Sequence, residues 1–221
     1  MDITLDIQDD VALIKMDDGK KNAITQEALA GIEQSLDEAA EKANAVVLAG
    51  RPGSFCAGFD LATMTGSDRE ATAALGQRGG RMALRLYSFP KPLLAACTGH
   101  AFTIGAIWMA ACDTRIGESG DFKFGMVETK MGMVLPSWAI EPLKARLNPM
   151  HFVAAIAQSK LYDAADAVNA GFLDSLVPEG QAIEATLAEA AELAKLPTKA
   201  YAGNKMSTRG EALERMKVDL H

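Results

Sequence analysis

Histidine, cysteine, positive charge and long apolar runs are all in short supply in this 221-residue sequence, and each shortage closes off a class of protein. The three histidines (His100, His151, His221) are scattered and never reach a zinc-ligand spacing, so no metal centre is expected. The three cysteines (Cys56, Cys97, Cys112) are an odd number with no C-x-x-C pair. They are expected to be reduced, buried small residues of a cytosolic protein, not a disulfide framework. No stretch approaches the roughly 20 uninterrupted apolar residues that a bilayer span needs. The opening Met1-Asp2-Ile3-Thr4-Leu5-Asp6 has neither the basic start nor the apolar run of a secretion signal. The expectation is a cytoplasmic protein with no membrane partner. With 22 basic against 29 acidic side chains the formal charge is −7, which weighs against a nucleic-acid binder. Anionic small molecules stay open, because a few local lysines can hold phosphates on an acidic protein. There is no Gly-Lys-Ser/Thr phosphate loop and no low-complexity linker.

What is present is an apolar fraction of 49%, ample for one sizeable core. Short apolar runs alternate with helical periodicity, which predicts an α/β fold. Thr4–Ile7 and Val11–Met16 read as paired strands, and Ala45–Ala49 and Leu93–Cys97 as buried ones. Thr25 is a predicted N-cap for a helix whose Leu29, Ile32, Leu36 and Ala39 fall on one face. A second helix is expected through about Tyr87, stopped by Pro90-Lys91-Pro92. An apolar helix follows at Ala106–Ala111, then short strands at Asp113–Ile116 and Asp121–Phe124. Helices are predicted at Ser137–Leu147, Pro149–Gln158, Ala164–Ala170, Gln181–Leu196 and from Thr198 onward, with one last strand at Leu173–Val177. Strand-strand-helix units recur twice before residue 113, which hints at a spiral rather than a doubly wound sheet.

Two segments, Ser54–Leu61 and Thr98–Gly105, share a design in which a strand ends, small residues follow and a helix begins. N–H groups at a helix start lack intrahelical partners and favour negative charge. Two such groups aimed at one point would form an oxyanion hole. Spacing alone does not separate this from ordinary strand-to-helix turns. Other residues read as structural or stay open. Asp60 is expected to cap the helix starting at Leu61, Asp113 to fix backbone after the apolar helix, and His100 to be structural. Cys56 and Ser137 lack a base placed by the sequence.

The stretch Phe55-Cys56-Ala57-Gly58-Phe59-Asp60-Leu61 resembles the F-x-A-G-x-D-[LI] signature of the crotonase (enoyl-CoA hydratase/isomerase) superfamily. Gly99-His100-Ala101, Gly105 and Ala111-Cys112-Asp113-Thr114-Arg115-Ile116 are similar to its second signature. Lys91-Pro92, Phe124-Gly125 and Asp163–Val177 follow in the family's order. The resemblance implies a crotonase fold, with a spiral of ββα units over residues 1–135 and a helical region over 136–221 that forms trimers and covers the acyl pocket. It implies an acyl-CoA substrate, with coenzyme A as part of that substrate and no separate cofactor, and a homotrimer or hexamer.

Carried over residue by residue, the resemblance assigns the two oxyanion donors to the backbone N–H groups of Phe59 and Ile104. Gly58 and Gly105 are implied to flank the substrate, and the carbonyl of Ala57 to meet the adenine ring. Lys20 and Lys21 match an early coenzyme-binding loop; they are either phosphate contacts or solvated turn charges. Glu128 matches the family's second catalytic glutamate, set among Met126, Val127, Met131, Met133 and Val134. Its alternative is a surface glutamate paired with Lys130 or Lys123. The other glutamate of the hydratases falls on Ile107. Water addition benefits from two carboxylates, whereas a double-bond shift needs one group that removes and returns a proton. Isomerisation is therefore the favoured expectation. Hydration, another thioester reaction such as hydrolysis or decarboxylation, and non-catalytic acyl-CoA binding are the alternatives.

Overall fold

In the computed structural model, which describes residues 1–220, the opening apolar runs pair as an antiparallel hairpin, β1 (Asp2–Gln8) and β2 (Val11–Asp17). Its two-residue turn holds Asp9 and Asp10 at positive φ (46° and 65°), matching the twist of the flanking strands. His221 lies outside the described residues. From β2 onward the chain winds in a repeating path. Each turn lays one strand into a large sheet and one or two into small sheets, then closes with a helix.

The first turn is β2, β3 (Ala23–Ile24) and α1 (Gln26–Lys42). Thr25 caps α1 by accepting from Ala28 N–H (3.2 Å), and the predicted face of Leu29, Ile32, Leu36 and Ala39 is buried. The second turn is β4 (Ala45–Ala49), β5 (Gly53–Cys56), β6 (Gly58–Phe59), α2 (Leu61–Thr65) and α3 (Arg69–Tyr87). The third is β7 (Leu93–Cys97), β8 (Gly99–Phe102) and α4 (Ile104–Ala111). The fourth begins with β9 (Thr114–Glu118) and β10 (Phe124–Gly125). There follow α5 (Ser137–Arg146), α6 (Pro149–Ile156), α7 (Ala164–Ala170), β11 (Ser175–Val177), α8 (Ala182–Leu193) and α9 (Thr198–Lys217).

The large sheet has six strands in the order β1-β2-β4-β7-β9-β11, all parallel after the first hairpin. The small sheets are β10-β8-β5 and β3-β6. Parallel strands buried on both faces read as continuous apolar runs. That explains β4 and β7: Val46, Leu48, Leu93 and Ala95 face the main core, while Ala45, Val47, Leu94 and Ala96 face a smaller core covered by α8. Among the described residues no helix is long and apolar enough to cross a membrane.

Three expectations are corrected. The segments Ser54–Leu61 and Thr98–Gly105, read as small residues between a strand end and a helix start, carry most of β5 and all of β6 and β8, too short for alternation to reveal them. The strand expected over Asp121–Phe124 is confined to Phe124–Gly125. The last strand begins at Ser175, because Phe172 and Leu173 N–H groups turn back to the Ala167 carbonyl at the end of α7.

Candidate active site

A cavity of about 690 Å³ lies where the second, third and fourth turns of the spiral meet α3 and α5. Ala57, Gly58 and Phe59 reach it from β6, Thr103, Ile104 and Ile107 from the start of α4, and Glu128 from the segment after β10. The sequence-predicted donors and base thus share one cavity. Lys21 borders it, but Lys20 and Gly105 do not. Gly105 instead answers a packing need: a Cβ there would sit 2.6 Å from the Cys56 carbonyl oxygen, so α4 is pressed against β5. Lys20 is exposed, and its backbone carbonyl accepts from Arg51 (2.7 Å).

The two strand-to-helix corners are held by backbone. Ala57 N–H donates to Lys21 O (3.0 Å) and Asp60 N–H to Ile24 O (2.9 Å). Gly58 breaks the alternation of the strand, and beyond it Asp60 N–H is the group that pairs onto β3, so the neighbouring Phe59 N–H faces away from β3. Gly58 makes the corner at φ 119°, and the Phe59 ring lies where a side chain at Gly79 would be: a Cβ there would meet it at 2.4 Å. At the second corner Thr103 begins α4 with φ 50° and no side-chain cap. Ile107 N–H is the first to close a helical bond, onto Thr103 O (3.0 Å). Ile104 N–H is therefore a first-turn donor without an intrahelical acceptor.

Glu128 is buried, with 8% of its surface exposed, and one carboxylate oxygen, Oε2, has no hydrogen-bond partner. Burial pushes its carboxyl above the usual carboxylate range, partly offset by its own N–H and that of Val127. Its backbone carbonyl accepts from Met131 N–H and Met133 N–H (both 2.9 Å), fixing the residue at the start of a single 3-10 turn, Thr129–Met131. The lysines weighed as partners do not reach it: Lys123 approaches Asp121 (3.4 Å), and Lys130 is exposed. The apolar surroundings differ from the expectation. Met126 is fully buried elsewhere, and Met131, Met133 and Val134 border the cavity while facing solvent, Val134 at 93% exposure.

The rest of the lining includes Trp138 on α5, and two parts that escaped the sequence reading: Thr72, Ala73, Gly76 and Gln77 on α3, and Asp219 beyond α9. Asp219 is the cavity's second carboxylate; its Oδ2 accepts from Ser137 N–H (2.6 Å), and its backbone carbonyl accepts from Gln77 Nε2 (3.0 Å). Nothing local in the sequence signals a contact across 82 or 142 positions.

The other candidates take structural roles. Asp60 caps α2 through Thr63 N–H (2.8 Å). His100 Nδ1 accepts from Lys123 N–H (2.9 Å), and its ring stacks on Phe102. Cys56 is buried, and burial pushes its thiol up to about 12, so no thiolate forms near neutrality. Asp113 accepts from Leu93 N–H (2.9 Å), as expected of a backbone-fixing residue, and also binds Lys205 (2.6 Å) and Arg209 (2.8 Å) of α9. Among the described residues no cluster of His, Cys, Asp or Glu could hold a metal ion.

The family model described as enoyl-CoA hydratase/isomerase matches residues 6–218. Human mitochondrial enoyl-CoA delta isomerase 1 is 26% identical over 93% of this chain and 70% of its own length. A putative enoyl-CoA hydratase of Thermus thermophilus is 31% identical over 84% of this chain and 75% of its own. The crystal structure of an enoyl-CoA hydratase/isomerase family protein from Pseudomonas syringae superposes with a TM-score of 0.95 at 32% identity, covering 99% of this chain and 94% of that one.

Proposed function

The chain belongs to the enoyl-CoA hydratase/isomerase family, and within it we propose that this protein moves a carbon–carbon double bond in an enoyl-CoA thioester. The observation that carries the reading is a buried Glu128 with one orphaned carboxylate oxygen in the same cavity as Ile107, the position that the resemblance matches to the hydratases' other glutamate. Asp219 is engaged by Ser137 N–H and does not fill that role.

The chemistry follows in two proton transfers. The Glu128 carboxylate removes a proton from C2 of a 3-enoyl-CoA, and the electron pair flows into the thioester carbonyl as a dienolate. The Phe59 and Ile104 N–H groups hold the oxyanion; one such donor is worth about 3–4 kcal/mol in comparable sites. Glu128, now protonated, returns the proton at C4, and the double bond is left between C2 and C3. A carboxyl whose proton affinity is raised by burial serves both steps, because it is a stronger base and still a competent acid near neutrality. The coenzyme portion enters as substrate, with the Ala57 carbonyl toward the adenine and Lys21 at the cavity rim.

The assembly belongs to the same proposal. Exposed Met150 (90%) and Val153 (62%) on α6 support a homotrimer or a dimer of trimers. Light scattering on the eluted protein tests this, and a monomer at micromolar concentration would count against it.

Turnover of 3-enoyl-CoA and 2-enoyl-CoA substrates by wild type and Glu128→Gln tests the chemistry. The expected result is conversion of the 3-enoyl substrate, reduced about 10²–10⁴-fold in the variant. Addition of water to the 2-enoyl substrate, without any double-bond shift, would refute the isomerase reading in favour of hydration.

A further inference from the structure

Thr103 has a hydroxyl that the chemistry above does not use. It begins α4 yet makes no side-chain cap to that helix, and its hydroxyl has no hydrogen-bond partner among the described residues. It lines the same cavity as Glu128. Its position is closely defined by the opposite corner, since a Cβ built on Gly58 would lie 2.5 Å from Thr103 Oγ1. Gly58 directly precedes Phe59, and Thr103 directly precedes Ile104. The hydroxyl therefore lies against the first corner while its own residue opens the second, and Thr103 lines the cavity both corners face.

We infer that the Thr103 hydroxyl is a third hydrogen-bond donor to the thioester oxygen of the substrate. The inference rests on the reading of this cavity as an enolate-stabilising thioester site. A hydroxyl adds something two backbone groups cannot supply. Its proton rotates about the C–O bond, so it can follow the oxygen as the carbonyl becomes an enolate, whereas the N–H directions are fixed by β6 and α4. It also remains a donor at every pH where Glu128 works. Thr103 holds φ 50° and ψ −121°, a backbone state β-branched residues rarely adopt, and such strained positions cluster at functional sites.

The test separates carbonyl polarisation from turnover. An aryl-acryloyl-CoA chromophore absorbs further to the red when its thioester carbonyl is polarised by bound donors. Wild type should shift this absorbance. Thr103→Val, which keeps the shape and loses the hydroxyl, should lose most of the shift. Its kcat on a 3-enoyl-CoA should fall about tenfold with KM little changed, the size expected for one hydrogen bond made chiefly to the developing charge. Thr103→Ser should keep both within about twofold. If Thr103→Val does not fold, Thr103→Gly, which suits the positive φ, gives the hydroxyl-free comparison.

A full shift and full rate in the valine variant would overturn the inference. So would equal losses in Ser and Val, which would assign the effect to packing, or a wild type that gives no shift. Failure of the wild type to convert any 3-enoyl-CoA would sink the isomerase reading instead, while the absorbance shift would still decide this one.

Discussion

Replacing Glu128 by glutamine should make the protein more stable and less active at once, and the two effects should part company with pH. Glu128 Oε2 is buried without a hydrogen-bond partner, and burial raises the carboxyl's proton affinity in the folded state. A buried polar group left unpaired costs about 1–3 kcal/mol. Glutamine removes the charge but keeps a polar amide, so the gain should sit near the lower end, about 1 kcal/mol. For a domain of this size that is a rise of about 2–4 °C in Tm.

The sign of the pH dependence follows from linkage. The folded pKa lies above the unfolded value, so within the window between them the native state binds more protons than the unfolded state, and stability falls as pH rises. Below the ordinary glutamate value of 4.5 both states are protonated and the penalty is absent; above the raised folded value it is complete. The Tm difference between variant and wild type should therefore start small in acid, grow through that window, and level off. Calorimetry from pH 4 to pH 8 on both proteins measures it, and the difference curve cancels the carboxylates the two share. Parallel Tm curves across the range, or a variant less stable at neutral pH, would refute the burial argument.

Two further perturbations probe how the site is held. Gly58→Ala places a side chain at φ 119° and 2.5 Å from Thr103 Oγ1. It should cost about 1–3 kcal/mol in stability and depress kcat more than KM, because the corner carrying Phe59 must move; an unchanged kcat would separate that corner from catalysis. Asp113→Ala strips the acceptor from buried Lys205 and Arg209 and should destabilise by about 3–5 kcal/mol, read as a lower denaturation midpoint with a similar slope. A loss under 1 kcal/mol would mean that the carbonyls of Phe89 and Tyr87, which also accept from these cations, hold α9 without the aspartate.

The parts of the molecule legible in the sequence were those with local periodicity or local caps. α1 announced itself through Thr25 and its apolar face, and β4 and β7 through runs buried on both sides. The family-matched motifs brought Phe59, Ile104 and Glu128 to one cavity, and Ile107 beside them. What was missed is non-local. β3, β6 and β10 are two residues long and exist only because a neighbour across the spiral pairs with them. The place of Asp219 in the wall depends on how α9 returns to the core, where Asp113 holds Lys205 and Arg209 across roughly a hundred positions. Gly105, read as a ligand contact, is a closeness requirement between a helix and a strand, and a glycine in sequence looks the same in either role.

The small sheet has a consequence for how such a site can diversify. β5 and β8 run parallel with Gly53 opposite Gly99 and Ser54 opposite His100, then slip by one residue so that Cys56 meets Ala101. The corners bearing Phe59 and Ile104 follow directly from those strands, so the gap between them is gauged by interstrand hydrogen bonding, about 4.7–4.9 Å per step, and not by any side chain. The sheet acts as a ruler. α3, α5 and Asp219 stand outside it, so residues such as Gln77 or Trp138 can change the size and polarity of the rest of the cavity while the spacing of the two corners stays as it is. A single insertion in β5 or β8 would do the reverse, leaving the far wall of the cavity intact and putting the two corners out of step.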